Sequence, residues 1–209
     1  MAELLGWHFV REDRRLGYGD GRVVEVGETL TVEGPLEMCQ HGLHASVRAL
    51  DALRYAPGPI ACRVRLSGEV LGPTAEHSDK ACATERTVIA MVDSTDLLRD
   101  FIRDTLVFRQ PHMVSLFEKA GLPEHARALR AIEMETATWE EIQRVCDAAG
   151  VAARAAAWDA TRVAAGDAAG DATRVAAWDA AGVAAWDATR AELNERLEAR
   201  LLDAMAVSA

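Results

Sequence analysis

From Ala148 to Ala188 every fourth residue is alanine, eleven times in succession. The second place of each four is Ala or Thr, the third Trp, Arg or Gly, and the fourth mostly Asp or Val, as in AAWD, ATRV and AAGD. Alanine has the best helix propensity, and only Gly150, Gly166, Gly170 and Gly182 oppose it, each by about 1 kcal/mol. Such a tail is built for helix and close association, not for chemistry. A small-molecule function, if the chain has one, belongs in the first half.

The period sets what the tail can present. Four residues turn the helix by about 400°, so equivalent positions drift by about 40° per repeat and spiral around the axis. One continuous helix over 148–191 would run for about 66 Å and show its tryptophans on several sides. The alternative is a turn at Gly166–Gly170, because the repeat is symmetric about Ala168: Trp158 mirrors Trp178 and Arg162 mirrors Arg174. Both arrangements make residues 148–205 a self-association device. A pentapeptide β-helix is excluded, since the period is four and Ala and Asp disfavour strands.

A formal net charge of −10 argues against non-specific binding to nucleic acid or to an anionic membrane. Charges interrupt the Ala-rich run every few residues, so no stretch reads as a membrane span. The start, MAELLGWHFVRED, has no apolar leader core, and Cys39, Cys62, Cys82 and Cys146 lack CxxC spacing. The expectation is a cytoplasmic protein with reduced thiols.

Local patterns predict an α+β chain. Strands are expected at Trp7–Val10, Arg22–Val26 and Thr29–Val32, with a tight turn at Gly19-Asp20-Gly21. Ser46 is a candidate N-cap for a helix carrying Val47, Leu50 and Leu53, which Pro57-Gly58-Pro59 ends. Ile60, Cys62, Val64 and Leu66 then alternate with Ala61, Arg63, Arg65 and Ser67, the period of a strand buried on one face. HSDKACATER reads as a polar loop and Thr87–Val92 as a strand. Further on, Asp96 caps an amphipathic helix, Pro111 starts another that Gly121 ends, and Pro123 and Thr138 mark two more. Leu193, Leu197, Leu201 and Leu202 give Glu192–Met205 the pattern of an ordinary amphipathic helix. The expected organisation is a small mixed-sheet domain with one or two helices over 1–92, a helical extension over 93–147, and the Ala-rich helical tail over 148–209.

The densest run of functional residue types is Cys39-Gln40-His41-Gly42-Leu43-His44-Ala45-Ser46. A zinc site from Cys39, His41, His44 and Cys62 or Cys82 would lack the second closely spaced ligand pair such sites carry, so no metal is assigned. Ser46 and Cys39 stand in no nucleophile elbow. The glycines of GYGDG precede a strand and open no helix, so there is no dinucleotide fingerprint. An anionic-ligand pocket remains. Arg63 and Arg65 share a strand face, Lys80 and Arg86 flank the polar loop, and Tyr55 ends the first helix. Arg and Lys can hold phosphate, while His44, Ser46 and Tyr55 can stack on or bond a base or ribose. The alternative is a solvated strand face with salt bridges to Glu69, Glu76 or Asp79. The ligand set is therefore His44, Ser46, Tyr55, Arg63, Arg65, Lys80 and Arg86, with no catalytic residue and no cofactor.

GLHASVRALDALRYAPGPIACRVRLSG followed by DKACATERT resembles a family of uncharacterised bacteriophage proteins, especially of phages that infect actinobacteria. The resemblance covers about residues 5–110. It implies a phage accessory protein, for which sequestering a nucleotide-derived immune signal of the host without turnover is the first expectation. A weaker similarity is to the ADP-ribosyltransferase fold, through Gly42–Ser46, the helix to Tyr55-Ala56, and Cys62–Gly68. There His44 stands where that fold has tyrosine, His8 imitates its first-strand histidine, and Glu85 is the candidate for its glutamate. That similarity implies ADP-ribosyl transfer or NAD cleavage as an alternative. A protein-binding scaffold acting through the tail is the other.

Overall fold

The computed structural model describes residues 3–17, 19–74, 78–145, 147–148 and 172–207, the last with side chains only from Arg190. The chain has an α+β architecture of five antiparallel strands and helices, which narrows the mixed sheet expected. It divides into two compact units, Met1–Arg99 with Arg190–Ala209, and Asp100–Thr189.

In the first unit the strands are β1 (Leu4–Val10), β2 (Thr29–Thr31), β3 (Leu43–Ala45), β4 (Ile60–Leu71) and β5 (Ala81–Asp93). β1 pairs with β4, and β4 with β5, in long antiparallel ladders. β3 and β2 lie in tandem along the other edge of β5. Just past β3, Ser46 and Trp7 exchange backbone hydrogen bonds of 2.7 and 2.9 Å. That bridge returns β3 to β1, so β1, β4, β5 and β3 form a closed circuit. Closing a sheet removes its exposed edges. The required curvature comes from two irregularities in the β4–β5 ladder, between Arg63 and Val64 and between Ser67 and Val70. At the second, Gly68 takes φ +73, and a Cβ there would lie 2.3 Å from Thr84 Oγ1.

Antiparallel partners share a face, so the register sorts the side chains. Cys62, Val64 and Leu66 of β4 face the enclosed core with Val10, Leu30, Leu43 and Val88. Arg86 pairs with Leu66 on one side and Leu30 on the other and therefore points into the same interior. The opposite face carries Trp7, Phe9, Ala61 and Arg63. Here α1 (Ala49–Leu53) and the end of α5 (Ala172–Val207) belong to the same unit.

The structure corrects several local expectations. Ser46 is not a helix cap, because its backbone is spent on the bridge to Trp7; the N-cap of α1 is Arg48, whose side chain makes no capping bond. The first free N–H groups of α1 are instead taken by α5: Ala49 N–H donates to Glu198 Oε1 at 2.9 Å and Leu50 N–H to Asn194 Oδ1 at 3.0 Å. Asp51 pairs with Arg48 and with Arg190. Leu193, Leu197, Leu201 and Met205, spaced four apart, are buried one turn after another, whereas Leu202 stays exposed. So the last residues of the expected tail complete the first unit. Arg22–Val26 forms only a bridge between Arg15 and Val23, and most of the expected polar loop, from Ala81, is the first half of β5.

Pro111 starts no new helix; it lies inside α2 (Thr95–Lys119). Its lost hydrogen bond is a local cost that the continuous helix sustains. Gly121, at φ +72, ends α2: its N–H donates to Glu118 O, and the Leu122 N–H donates to Phe117 O at 2.9 Å, the paired bonds of a Schellman stop. In the second unit α3 (Pro123–Ala131) and a helical stretch over 139–145, α4, follow as expected. Thr138 and Glu141 form a reciprocal capping box at the start of α4. Val114, Leu129, Met134 and Ile142 fill that unit's core. The turn expected at Gly166–Gly170 lies outside the described residues. Among the described residues no helix is long and apolar enough to cross a membrane.

Candidate functional site

The seven residues of the expected ligand set occupy four places. Three of them, His44, Tyr55 and Lys80, meet around Cys39. Cys39 sits at φ +67, a left-handed conformation that a non-glycine residue adopts at a cost. Its N–H donates to His44 Nε2 at 3.0 Å, and its Sγ lies 3.3 Å from Lys80 Nζ. The Lys80 ammonium stands 4.2 Å from the centre of the Tyr55 ring, a cation–π distance. The Tyr55 hydroxyl donates to Asp79 Oδ2 at 2.6 Å, and Arg54 lies 3.5 Å from the same carboxylate.

The protonation states follow from these neighbours. Burial lowers the His44 pKa against a hydrogen bond to the Gly42 backbone that raises it, and the accepting Nε2 shows where its lone pair points. His44 is thus neutral at pH 7. Burial works against the charge of Lys80, but its contacts to Tyr55 and Cys39 outweigh this and hold its pKa above the ordinary value. The patch therefore offers an exposed aromatic ring, an ammonium that keeps its charge and a neutral imidazole. Those groups can stack on a planar ring and hold an anionic group.

The other four expected residues are elsewhere. Ser46 is buried at the β1–β3 bridge. Arg63 lies over the Trp7 ring at 4.7 Å and donates to Gly6 O, with Glu198 as the nearby opposite charge. It is a packing element of the helix-covered face, not a free cation. Arg65 stands on the solvated end of that face and, among the described residues, pairs with Glu3 and not with Glu69 or Asp79; Glu76 lies outside the described residues. Arg86 is inside the barrel, where its Nη1 donates to His44 O at 2.7 Å. It is thus joined to the patch only through the β3 backbone.

Sequence reasoning missed Cys39 and Asp79 as members of the patch. By its spacing Cys39 reads only as a metal ligand or nucleophile, and its link to Lys80 depends on the pairing of β5, which a polar loop there would not form. Among the described residues no group of three or more His, Cys, Asp or Glu side chains is placed to hold a metal ion. Cys39, Cys62 and Cys82 are free thiols. Of the three positions of the ADP-ribosyltransferase similarity, Glu85 accepts the Ser67 hydroxyl, His44 accepts the Cys39 N–H, and His8, which pairs with Cys62 in the β1–β4 ladder, is near enough to His44 to feel its charge.

Fold and patch together define a small closed-sheet α+β domain with a cationic, aromatic surface patch. Residues 5–100 match the model of a protein family described as a domain of unknown function, DUF7666. The matched region takes in the five strands and α1 and ends inside α2, so Asn194 and Glu198, which cap α1, lie beyond it. No curated protein and no solved structure matches the chain.

Proposed function

We propose that this chain is a non-catalytic binder of a small nucleotide-derived ligand, an accessory protein with which a bacteriophage sequesters an immune signal in the host cytoplasm. The observation that carries the reading is the convergence of Tyr55, Lys80 and His44 on one exposed patch, from three separate elements. Tyr55 would stack on the base, Lys80 would swing from the ring to a phosphate, and the neutral His44 would hold the loop at Cys39 in place. Binding of this kind needs no acid–base pair. Self-association is part of the proposal. The stripe from Leu193 to Met205 is already engaged within its own unit, so association falls to the remaining faces of residues 148–205.

Thermal unfolding of the full chain against a panel of cyclic nucleotides, cyclic dinucleotides and ADP-ribose derivatives tests the reading. A ligand at a hundredfold excess over its Kd should stabilise the fold by about 2.7 kcal/mol. The gain should vanish in Lys80→Ala and Tyr55→Ala while those variants keep their unliganded midpoint. No shift with any member of the panel would end the proposal. Release of nicotinamide from NAD by the wild-type chain would replace it with the enzymatic alternative.

A further inference from the structure

The barrel interior contains a charge that none of the described residues pairs directly. Arg86 is 2% exposed, and of its guanidinium nitrogens only Nη1 has a protein acceptor, His44 O. Nε and Nη2 have none among the described residues. Burial lowers its pKa to about 10, so the group still carries its positive charge at neutral pH.

The candidates for a counter-charge fail one by one. Burial pushes the Cys62 thiol up to about 12, so it holds its proton. His8, whose pKa burial lowers well below the usual histidine value, is neutral and adds no negative charge. Asp20 acts on Arg86 only through its charge at a distance: its carboxylate bonds Arg22 Nε and Nη2, each at 2.7 Å, and makes no hydrogen bond to Arg86 Nε or Nη2. A buried cation with no partner is strongly unfavourable, and natural interiors pair such groups.

The geometry of the open donors is specific. In a guanidinium, Nε–H and the neighbouring Nη2–H point the same way and form one two-pronged fork. That fork matches two oxygens on a single atom, as in a phosphate or a carboxylate. Nη1 is already fixed to the backbone of β3 through His44 O, which sets the direction of the fork.

We propose that the interior of the barrel beside Arg86 is an anion site that takes one small oxyanion group, phosphate or carboxylate, on the Nε–Nη2 fork. The site is distinct from the surface patch around Cys39. It stands or falls independently of nucleotide binding there. The His8 imidazole faces the same interior through its pairing with Cys62 and is near enough to feel the charge of Arg86, so it is available for a further polar contact.

Thermal unfolding of the full chain in inorganic phosphate, in acetate and in adenosine monophosphate, at matched ionic strength with chloride as reference, tests it. The comparison is with Arg86→Met, which keeps the shape and removes both charge and fork. A midpoint that rises with phosphate in the wild type and stays flat in Arg86→Met supports a free oxyanion. A rise with acetate alone supports a carboxylate. A rise with the nucleotide alone supports the phosphate of a larger ligand, and in Lys80→Ala the same rise should persist, which separates this site from the patch. Equal responses of wild type and variant to every anion, or no response in either, overturn the proposal. If Arg86→Met fails to fold, equilibrium dialysis of Lys80→Ala, which lacks the cation of the surface patch, against labelled phosphate, acetate and nucleotide decides it: close to one anion per chain supports the site, and none overturns it.

Discussion

Glu198 accepts a hydrogen bond from the backbone N–H of Ala49, 149 residues earlier in the chain, at 2.9 Å. With Asn194 on Leu50 N–H, it closes the start of α1 from outside the region matched by the family model. Replacing Glu198 with Ala should cost about 0.5–2 kcal/mol, the range for a lost N-terminal cap. Asn194→Ala should cost about 1–3 kcal/mol, because it leaves a covered N–H without an acceptor. Denaturant unfolding of the full chain reads both. If each lies within 0.5 kcal/mol of wild type, measured against about that noise level for surface changes, the capping role is wrong.

The leucines of the same helix should divide sharply. Leu197 is fully buried and Leu202 is 47% exposed, although both fit a helical apolar pattern. Leu197→Ala should destabilise by about 2–5 kcal/mol, while Leu202→Ala should change little. Similar losses at both positions would mean that α5 docks in another rotation.

Acid should weaken the fold earlier than its carboxylates predict. His8 has its pKa held down by burial first, then by the charge of Arg86 and the ring of His44, and His44 is itself lowered by burial. Unfolded histidine titrates near 6.5. Below that pH the unfolded chain takes up protons that the folded chain refuses, so stability is full above 6.5 and falls as pH drops toward the folded values. The slope is at most about 1.4 kcal/mol per pH unit for each histidine. Unfolding free energies between pH 5 and 8 should show this fall, and His8→Gln should flatten it. A profile that is level from 8 to 5 would contradict the burial of both rings.

Two glycines with positive φ should differ in cost. Gly68 and Gly19 both adopt left-handed backbone, but only at Gly68 would a Cβ meet an atom, Thr84 Oγ1 at 2.3 Å. That oxygen accepts the Glu69 N–H, so it is held in place. Gly19→Ala should cost about 1–3 kcal/mol from backbone strain alone. Gly68→Ala should cost clearly more, since the bulge that curves β4 must also shift. Equal unfolding midpoints for the two variants would remove the bulge from the account of barrel closure.

Much of the fold was legible because its signals are local. The alternation from Ile60 to Ser67 stands as the first half of β4, Gly121 and Pro123 punctuate the helices where expected, and the leucines after Glu192 form a buried stripe. The patch was half legible: His44, Tyr55 and Lys80 do come together, while Ser46, Arg63, Arg65 and Arg86 were chosen by residue type and are placed elsewhere by register. Pro111 and Ser46 carried correct local preferences that packing and strand pairing overrode.

The sequence by itself determined the period of each element, the helical character of the end of the tail, and the net acidic charge. Only the tertiary structure decided that Ala81–Arg86 is strand, that α1 is capped by Asn194 and Glu198, and that Arg86 is enclosed. The physical reason is one of range. Propensity and periodicity act over a few residues, whereas the pairing of β5 with β3, a cap supplied from 149 residues away and the burial of one guanidinium are settled only when distant segments meet.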